Sequence, residues 1–290
     1  MPGPRPKHPG VVGLVAGPFA GHSGSRQAKV RAMRVVDLDR DMSDVIPTGL
    51  TADSQFLFER MTQVTLAMAQ PGPGRRILDV ASGVGQDSIE LAARGASVVG
   101  AEPSRRMIGM AEVFAEKKSG PMPSWVRGWS DSLPFATGTF DACICKGAMD
   151  HFDCPERAIA EMARVTSTHG RVVLAIANFE SLACRMAHAL DELRQDVFGW
   201  GVVRERRGYD APSDHFTRYE VALMREQMSR HLDLVSLQGI SVGWGMPGWS
   251  KSVDRLPSSV AGACLRTFDR LARAAPTLSD VIVLVGHPRR

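Results

Sequence analysis

Between residues 76 and 177, short apolar runs alternate with segments whose apolar residues recur every three or four positions. Runs of four to eight apolar residues bounded by turn residues mark buried strands, and the longer period marks helices with one buried face. The pattern predicts strands over 77–81, 96–101, 124–127, 141–145 and 171–177, the last following a stop at Gly170. It predicts helices over 87–94, from a cap at Ser104 to about residue 117, and over 156–166. Upstream, Phe56, Phe58, Met61, Val64, Leu66 and Met68 place a helix over 55–69, broken by Pro71-Gly72-Pro73-Gly74. Downstream the rhythm changes. The next strands fall at 232–240 and 281–286, and the stretch from 179 to 232 is longer than one crossover helix needs. We read an inserted cap over about 181–216, and a loop and helix between 244 and 279. Alternating strands and helices imply a parallel sheet covered on both faces, with ligands beyond the carboxyl ends of its strands where strand order reverses.

Composition narrows this only a little. The 290 residues are 44% hydrophobic, and 35 Lys and Arg against 31 Asp and Glu leave a net charge of +4. The charges are well mixed, which gives no steer towards nucleic acid or an anionic membrane. No apolar run approaches the ~20 residues of a membrane span. Five cysteines without framework spacing favour a reducing cytoplasm. Arg5 and Lys7 before the apolar run 11–20 have the look of a signal peptide, but Gly13, Gly17 and Pro18 interrupt the run. Residues 1–45 are therefore expected to be a flexible extension, basic through Arg26, Lys29, Arg31 and Arg34, and residues 46–290 the folded domain.

The run Ile77-Leu78-Asp79-Val80-Ala81-Ser82-Gly83-Val84-Gly85 carries a strand into a glycine-rich turn that opens a helix. A side chain in such a turn would collide with a bound cofactor, and a tight turn calls for positive φ. A nicotinamide-binding turn needs a third glycine to bring helix and strand together, and counted from Gly83 that position is Ser88. Asp79 would also set negative charge beside a pyrophosphate, whereas it suits a sulfonium and an amino group. The run resembles the first motif, Leu-Asp-x-Gly-x-Gly-x-Gly, of the class I S-adenosylmethionine-dependent methyltransferases. It keeps Leu78, Asp79, Gly83 and Gly85 and has Ala81 at the first glycine. The resemblance extends over residues 76–177, roughly a third of the chain. It implies an α/β fold of the class I methyltransferase, Rossmann-like type: a mostly parallel seven-stranded sheet with helices on both faces and, here, an inserted helical cap. It also implies S-adenosylmethionine as cofactor, S-adenosylhomocysteine as product, and cofactor contacts from Asp79, Ala81, Gly83 and Gly85.

Three further segments follow the same resemblance. Glu102 stands directly after the second strand, 23 residues past Asp79, where an acid can accept both ribose hydroxyls. Pro103 follows it, and Met107 lies where an apolar side chain would flank adenine. In Gly128-Trp129-Ser130-Asp131-Ser132-Leu133-Pro134-Phe135, Trp129 replaces the aspartate that in relatives accepts from the adenine amino group. Either Trp129 stacks on adenine, with Ser130 beside it, or Asp131 takes the polar contact, or Trp129 simply packs at the domain edge. Lys146-Gly147-Ala148-Met149-Asp150-His151 follows the fourth strand, in the loop that lies beside the reactive methyl group in the family, and the resemblance counts Lys146 among the cofactor contacts. His151 there is a base or a brace for the next helix. Pro212-Ser213-Asp214-His215-Phe216 matches loosely and brings a second histidine, His215.

The implied chemistry is in-line displacement at the sulfonium methyl, in which the protein aligns the reactants and excludes water. A hydroxyl nucleophile needs a base, and His151 and His215 have suitable ordinary pKa values. An assisting metal held by Asp150, Asn178 and Glu180, or a soft metal on Cys143, Cys145, His151 and Cys154, is outweighed by structural roles for these residues, so no metal is assigned. The tetrapeptide of the nucleic-acid amino-methyltransferases is missing after the fourth strand, which argues against base amino groups. Trp200, Trp244 and Trp249, with Tyr209 and Phe216, are candidates for an apolar acceptor pocket. The expected acceptor is a small molecule: a natural product, or a quinone-like or lipid-like metabolite methylated at oxygen or carbon. The alternative is a catalytically silent S-adenosylmethionine-binding partner or regulatory protein. Oligomeric state stays open, a homodimer being one option.

Overall fold

The computed structural model describes residues 51–198 and 217–289. The first helix, α1 (Ala52–Ala69), buries Leu57, Met61, Val64, Leu66 and Ala69. Each fully buried Leu or Met contributes roughly 1.5–3 kcal/mol, so these side chains anchor the helix. Gln70 closes it in the left-handed conformation, and Pro71 prevents continuation. Then come β1 (Arg76–Val80), α2 (Gln86–Ala93), β2 (Ser97–Glu102), α3 (Arg105–Glu116), β3 (Ser124–Arg127), β4 (Phe140–Lys146), α4 (Pro155–Val165) and β5 (Thr166–Ala177). After β5 follow α5 (Leu182–Phe198), α6 (Val221–Ser229), β6 (Leu232–Ile240), α7 (Trp249–Asp254), α8 (Ser258–Ala274) and β7 (Val281–Pro288). Ser104 caps α3 as expected, accepting from the Met107 N–H at 3.3 Å.

The seven strands form one sheet in the order β3-β2-β1-β4-β5-β7-β6. β1 to β5 are parallel, and β7 runs antiparallel between β5 and β6. Strand order reverses between β1 and β4, so the turn after β1 and the loop after β4 adjoin at the carboxyl ends. Side chains of one strand alternate between two cores. Leu78 and Val80 pack with Met162 of α4 and Met224 of α6 on one face. Ile77, Ile144 and Val173 pack with Leu57 and Met61 of α1 on the other. This is the mostly parallel, helix-flanked sheet that the pattern predicts.

Two expectations need correction. Gly170 does not stop the chain before β5; the strand starts at Thr166 and runs through it. A Cβ at Gly170 would stand 2.7 Å from the Asp141 carbonyl oxygen, so the glycine permits close approach of β4 where the register shifts. The stretch 244–279 contains two helices, and α8 lies along β6, with Gly239 making room for the Ala272 carbonyl. The expected extension 1–45 and most of the second half of the expected cap, with Trp200, Tyr209, His215 and Phe216, lie outside the described residues.

Candidate functional site

Ala81, Gly83 and Gly85 all take positive φ, +57°, +52° and +75°. The turn they form is stitched to β2, because the Ala81 N–H donates to the Ala101 carbonyl at 2.9 Å. Glu102 closes the other side. Its Oε2 accepts from the Gly83 N–H and its Oε1 from the Ser104 N–H, both at 3.0 Å. Burial raises the Glu102 pKa, and the two backbone donors oppose the rise. Each carboxylate oxygen keeps a second acceptor position. The glycines serve different ends. A Cβ at Gly83 would meet only Met107 Cε at 3.7 Å, so the requirement there is conformational. A Cβ at Gly85 would overlap the Trp125 ring and stand 2.9 Å from Ala111 Cβ. The packing of Trp125 is therefore enough to require that glycine, whatever the turn holds.

Asp79 lies under the turn, fully buried. Its Oδ2 accepts from Ser88 Oγ at 2.6 Å, so the position where a nicotinamide-binding turn has glycine carries a hydroxyl anchored to β1. Its pKa is pushed up to about 7, by burial first and then by the charge of Asp87; the Ser88 hydrogen bond and Lys146 oppose this. Lys146, at the end of β4, donates to Asp87 Oδ1 at 2.8 Å and to Thr62 Oγ1 of α1 at 2.6 Å. One ammonium thus bridges the opening turn of α2, the end of β4 and α1. Ser82 Oγ, in the middle of the glycine turn, is buried without a hydrogen-bond partner.

Beyond these, Met107 is buried below Gly83, and Pro103, whose carbonyl accepts from Arg127, precedes the α3 cap. Trp129, Ser130 and Asp131 are half-buried in the β3–β4 connection, where Trp129 pairs with Ser132 across a short bridge. His151 ends a short 3-10 turn, Met149–His151, after β4. Its side chain is 42% exposed, and its Nε2 lies 4.0 Å from Asp150 Oδ1. The Asn178 amide donates to the carbonyls of Ser279 and Thr277, and Glu180 pairs with Arg218 and Arg185. Among the described residues no group of three or more His, Cys, Asp or Glu side chains is disposed to hold a metal ion. Trp249 packs with Phe268 at 5.0 Å in a small separate core, while Trp244 donates from its ring nitrogen to Ser54 Oγ at 3.0 Å.

A family model described as "Methyltransferase domain" matches residues 78–174. The demethylmenaquinone methyltransferase of Thermobifida fusca is 31% identical over 179 residues, 57% of this chain and 71% of that protein. The chain belongs to the class I S-adenosylmethionine-dependent methyltransferases. The demethylmenaquinone methyltransferase of Renibacterium salmoninarum is 38% identical over 103 residues, 36% of this chain and 41% of that protein. The magnesium protoporphyrin IX methyltransferase of Synechocystis, solved with bound SAH, shares the fold with a TM-score of 0.54. It is 15% identical, over 84% of this chain and 90% of that one.

In this methyltransferase, sequence reasoning passed over Trp125, Asp87, Ser88 as a donor, and Thr62. Asp87 had a readable signal, an acid in the first turn of the helix that the glycine turn opens. Trp125 and Thr62 had none, because their partners lie far off in sequence. Among the described residues, no helix is long and apolar enough to cross a membrane.

Proposed function

We propose that this methyltransferase transfers the methyl group of S-adenosylmethionine to oxygen or carbon of a small natural-product, quinone-like or lipid-like acceptor. The observation that carries the cofactor assignment is the Glu102 carboxylate closing on the Gly83 N–H while keeping free acceptor positions beside a turn in positive φ. Room above Gly83 and the unpartnered Ser82 hydroxyl fit a polar ligand lying across the turn. In this reading Glu102 accepts the ribose hydroxyls. Pro103 and Met107 flank the adenine, and Trp129, Ser130 and Asp131 border its edge. Asp79, Ala81, Gly83 and Gly85 face the methionine end, where an ammonium and a sulfonium would lower the raised pKa of Asp79 and draw out its charge. Lys146 acts indirectly, holding Asp87 and α1 in place. The cofactor supplies an electrophilic methyl group when bound.

The chain's own part is to orient the acceptor, exclude water and take a proton. His151, just after the carboxyl end of β4, and His215 are the proposed bases for a hydroxyl acceptor. The names of the Thermobifida and Renibacterium relatives support a quinone-like compound within the acceptor class. We assign residues 46–290 to the methyltransferase domain and residues 1–45 to an extension. Its cover comprises the segment 181–216 and the loop around Trp244, which the Ser54 contact ties to α1. Calorimetry with S-adenosylhomocysteine and with NAD tests the cofactor, and methyl release across hydroxylated quinones and phenols tests the reaction. Micromolar S-adenosylhomocysteine binding with turnover is expected. Binding of NAD alone overturns the cofactor assignment. Tight S-adenosylhomocysteine binding with no turnover on any acceptor favours the silent-partner reading.

A further inference from the structure

A cavity of about 420 Å³ lies between α1, α8 and the sheet, and none of its lining residues belongs to the glycine turn, Glu102 or the loop after β4. Three arginines line it, Arg60, Arg171 and Arg273, with Gln63, Gln70 and Gln238 and the apolar Val64, Ala67 and Met68. One buried carboxylate holds two of the arginines. Asp269 Oδ2 lies 3.1 Å from Arg60 Nε and 3.3 Å from a terminal nitrogen of Arg273. Among the described residues Arg171 has no carboxylate partner. It donates to the Met68 carbonyl at 3.2 Å, and its buried Nε finds no acceptor. The neighbouring Arg75 has a buried Nε in the same condition, and burial together with the Arg75 charge depresses the Arg171 pKa. A partly buried cation without a counter-ion is costly.

Three arginines against one aspartate leave a surplus of two positive charges. A phosphate monoester carries roughly −1.5 to −2 near neutral pH and presents three acceptor oxygens, which planar guanidinium forks match. A carboxylate would offset only half of that surplus. The volume exceeds that of one phosphate group and falls within the range of about 300–1,000 Å³ for small-ligand pockets. We propose that this cavity is a second ligand site that takes the phosphate group of a small phosphorylated compound, gripped by Arg60, Arg171 and Arg273.

The test is thermal melting of the full chain in phosphate-free, low-chloride buffer, titrated with inorganic phosphate and pyrophosphate. The parent is expected to show a saturable rise in Tm. Arg171→Gln and Arg60→Gln raise the half-saturating concentration about tenfold or more, because each removes charge-assisted hydrogen bonds. Arg273→Gln, at an exposed position and with Arg60 still holding Asp269, does the same, while Arg255→Gln, at another exposed arginine outside the cavity, does not. Before phosphate is added, Arg171→Gln melts no lower than the parent, since it removes a charge without a counter-ion. Phosphatidylcholine vesicles with and without phosphatidic acid separate the sources. Co-sedimentation only with phosphatidic acid, lost in Arg273→Gln, assigns the phosphate to a lipid headgroup. A response to soluble phosphate alone assigns it to a soluble compound. Equal phosphate responses in the parent and all three cavity variants, or none up to about 20 mM, overturn the proposal.

Discussion

Ala81→Gly isolates what one methyl group costs in the cofactor turn. Ala81 sits at φ +57°, where a side chain crowds the backbone and a non-glycine residue loses about 1–2 kcal/mol. It cannot relax by rotating, because its N–H and that of Ser82 both donate to the Ala101 carbonyl, at 2.9 and 3.3 Å. Glycine removes the crowding but gives the unfolded chain more freedom, which offsets about 0.4–1 kcal/mol. The methyl group is half-buried and makes no hydrogen bond, so little else is lost. The expected net is a stabilisation of about 0.5–1 kcal/mol, and for a domain of this size 1 kcal/mol corresponds to roughly 2–4 °C in Tm. Urea unfolding of parent and variant, followed by circular dichroism, should show a higher midpoint at an unchanged m-value. A lower midpoint at the same m-value refutes the reasoning. It would mean that packing of the methyl group outweighs the backbone strain.

Asp79 makes stability fall as pH rises. The folded protein keeps its proton up to about 7, while the unfolded chain gives it up near the ordinary value of 3.8, so the loss develops between those limits and is complete above them. Asp79→Asn should remove that part of the slope, and identical pH dependence of the denaturant midpoint in parent and variant would exclude it. Glu102→Ala should weaken S-adenosylhomocysteine binding by about 1.5–3 kcal/mol. It should also lower stability by about 1–3 kcal/mol, since the half-buried Gly83 and buried Ser104 N–H groups lose their acceptor. Glu102→Gln, which keeps one acceptor oxygen, should recover part of each; calorimetry showing the parent's affinity in both variants removes the ribose assignment. For a hydroxyl acceptor, His151→Ala or His215→Ala should lower kcat by ~10²–10⁴-fold with cofactor affinity intact, as measured across pH. At least half of parental turnover with an unaltered pH profile in each variant leaves alignment as the mechanism.

How far the sequence was legible depended on how local each contact was. Strands β3 and β6 match their expected limits because runs bounded by turn residues carry their own punctuation. The glycine turn was legible for the same reason, each positive φ being a property of one residue. β5 was misjudged because Gly170 reads as a breaker in isolation, whereas its function is set by the Asp141 carbonyl 29 positions earlier in the chain. The need for glycine at position 85 was legible, but its cause was not. Two small residues, Gly85 and Gly100, make room for Trp125, and no periodicity along the chain marks such a fit.

The largest omission concerns the reach of the site beyond the conserved-looking core of motifs. The family model matches 78–174 and leaves out α1. Yet Lys146 spends its ammonium on Thr62 of α1 as well as on Asp87, and the ring of Trp244 reaches Ser54 near the start of the same helix. α1 therefore touches the network beneath the glycine turn at one point and the loop near Asp280 at another. Asp280 is buried and accepts from the Trp244 and Gly243 N–H groups, and its pKa is raised to about 7, by burial first. Charges held this way depend on fixed partners, because a buried carboxylate that loses its donors costs more than the bond gained. A shift of α1 would disturb the Lys146 bridge and the Trp244 contact together. The helix before the first motif is thus tied by side-chain hydrogen bonds to both the network beneath the glycine turn and the loop near Asp280, although its sequence shows only an amphipathic segment packed against the sheet.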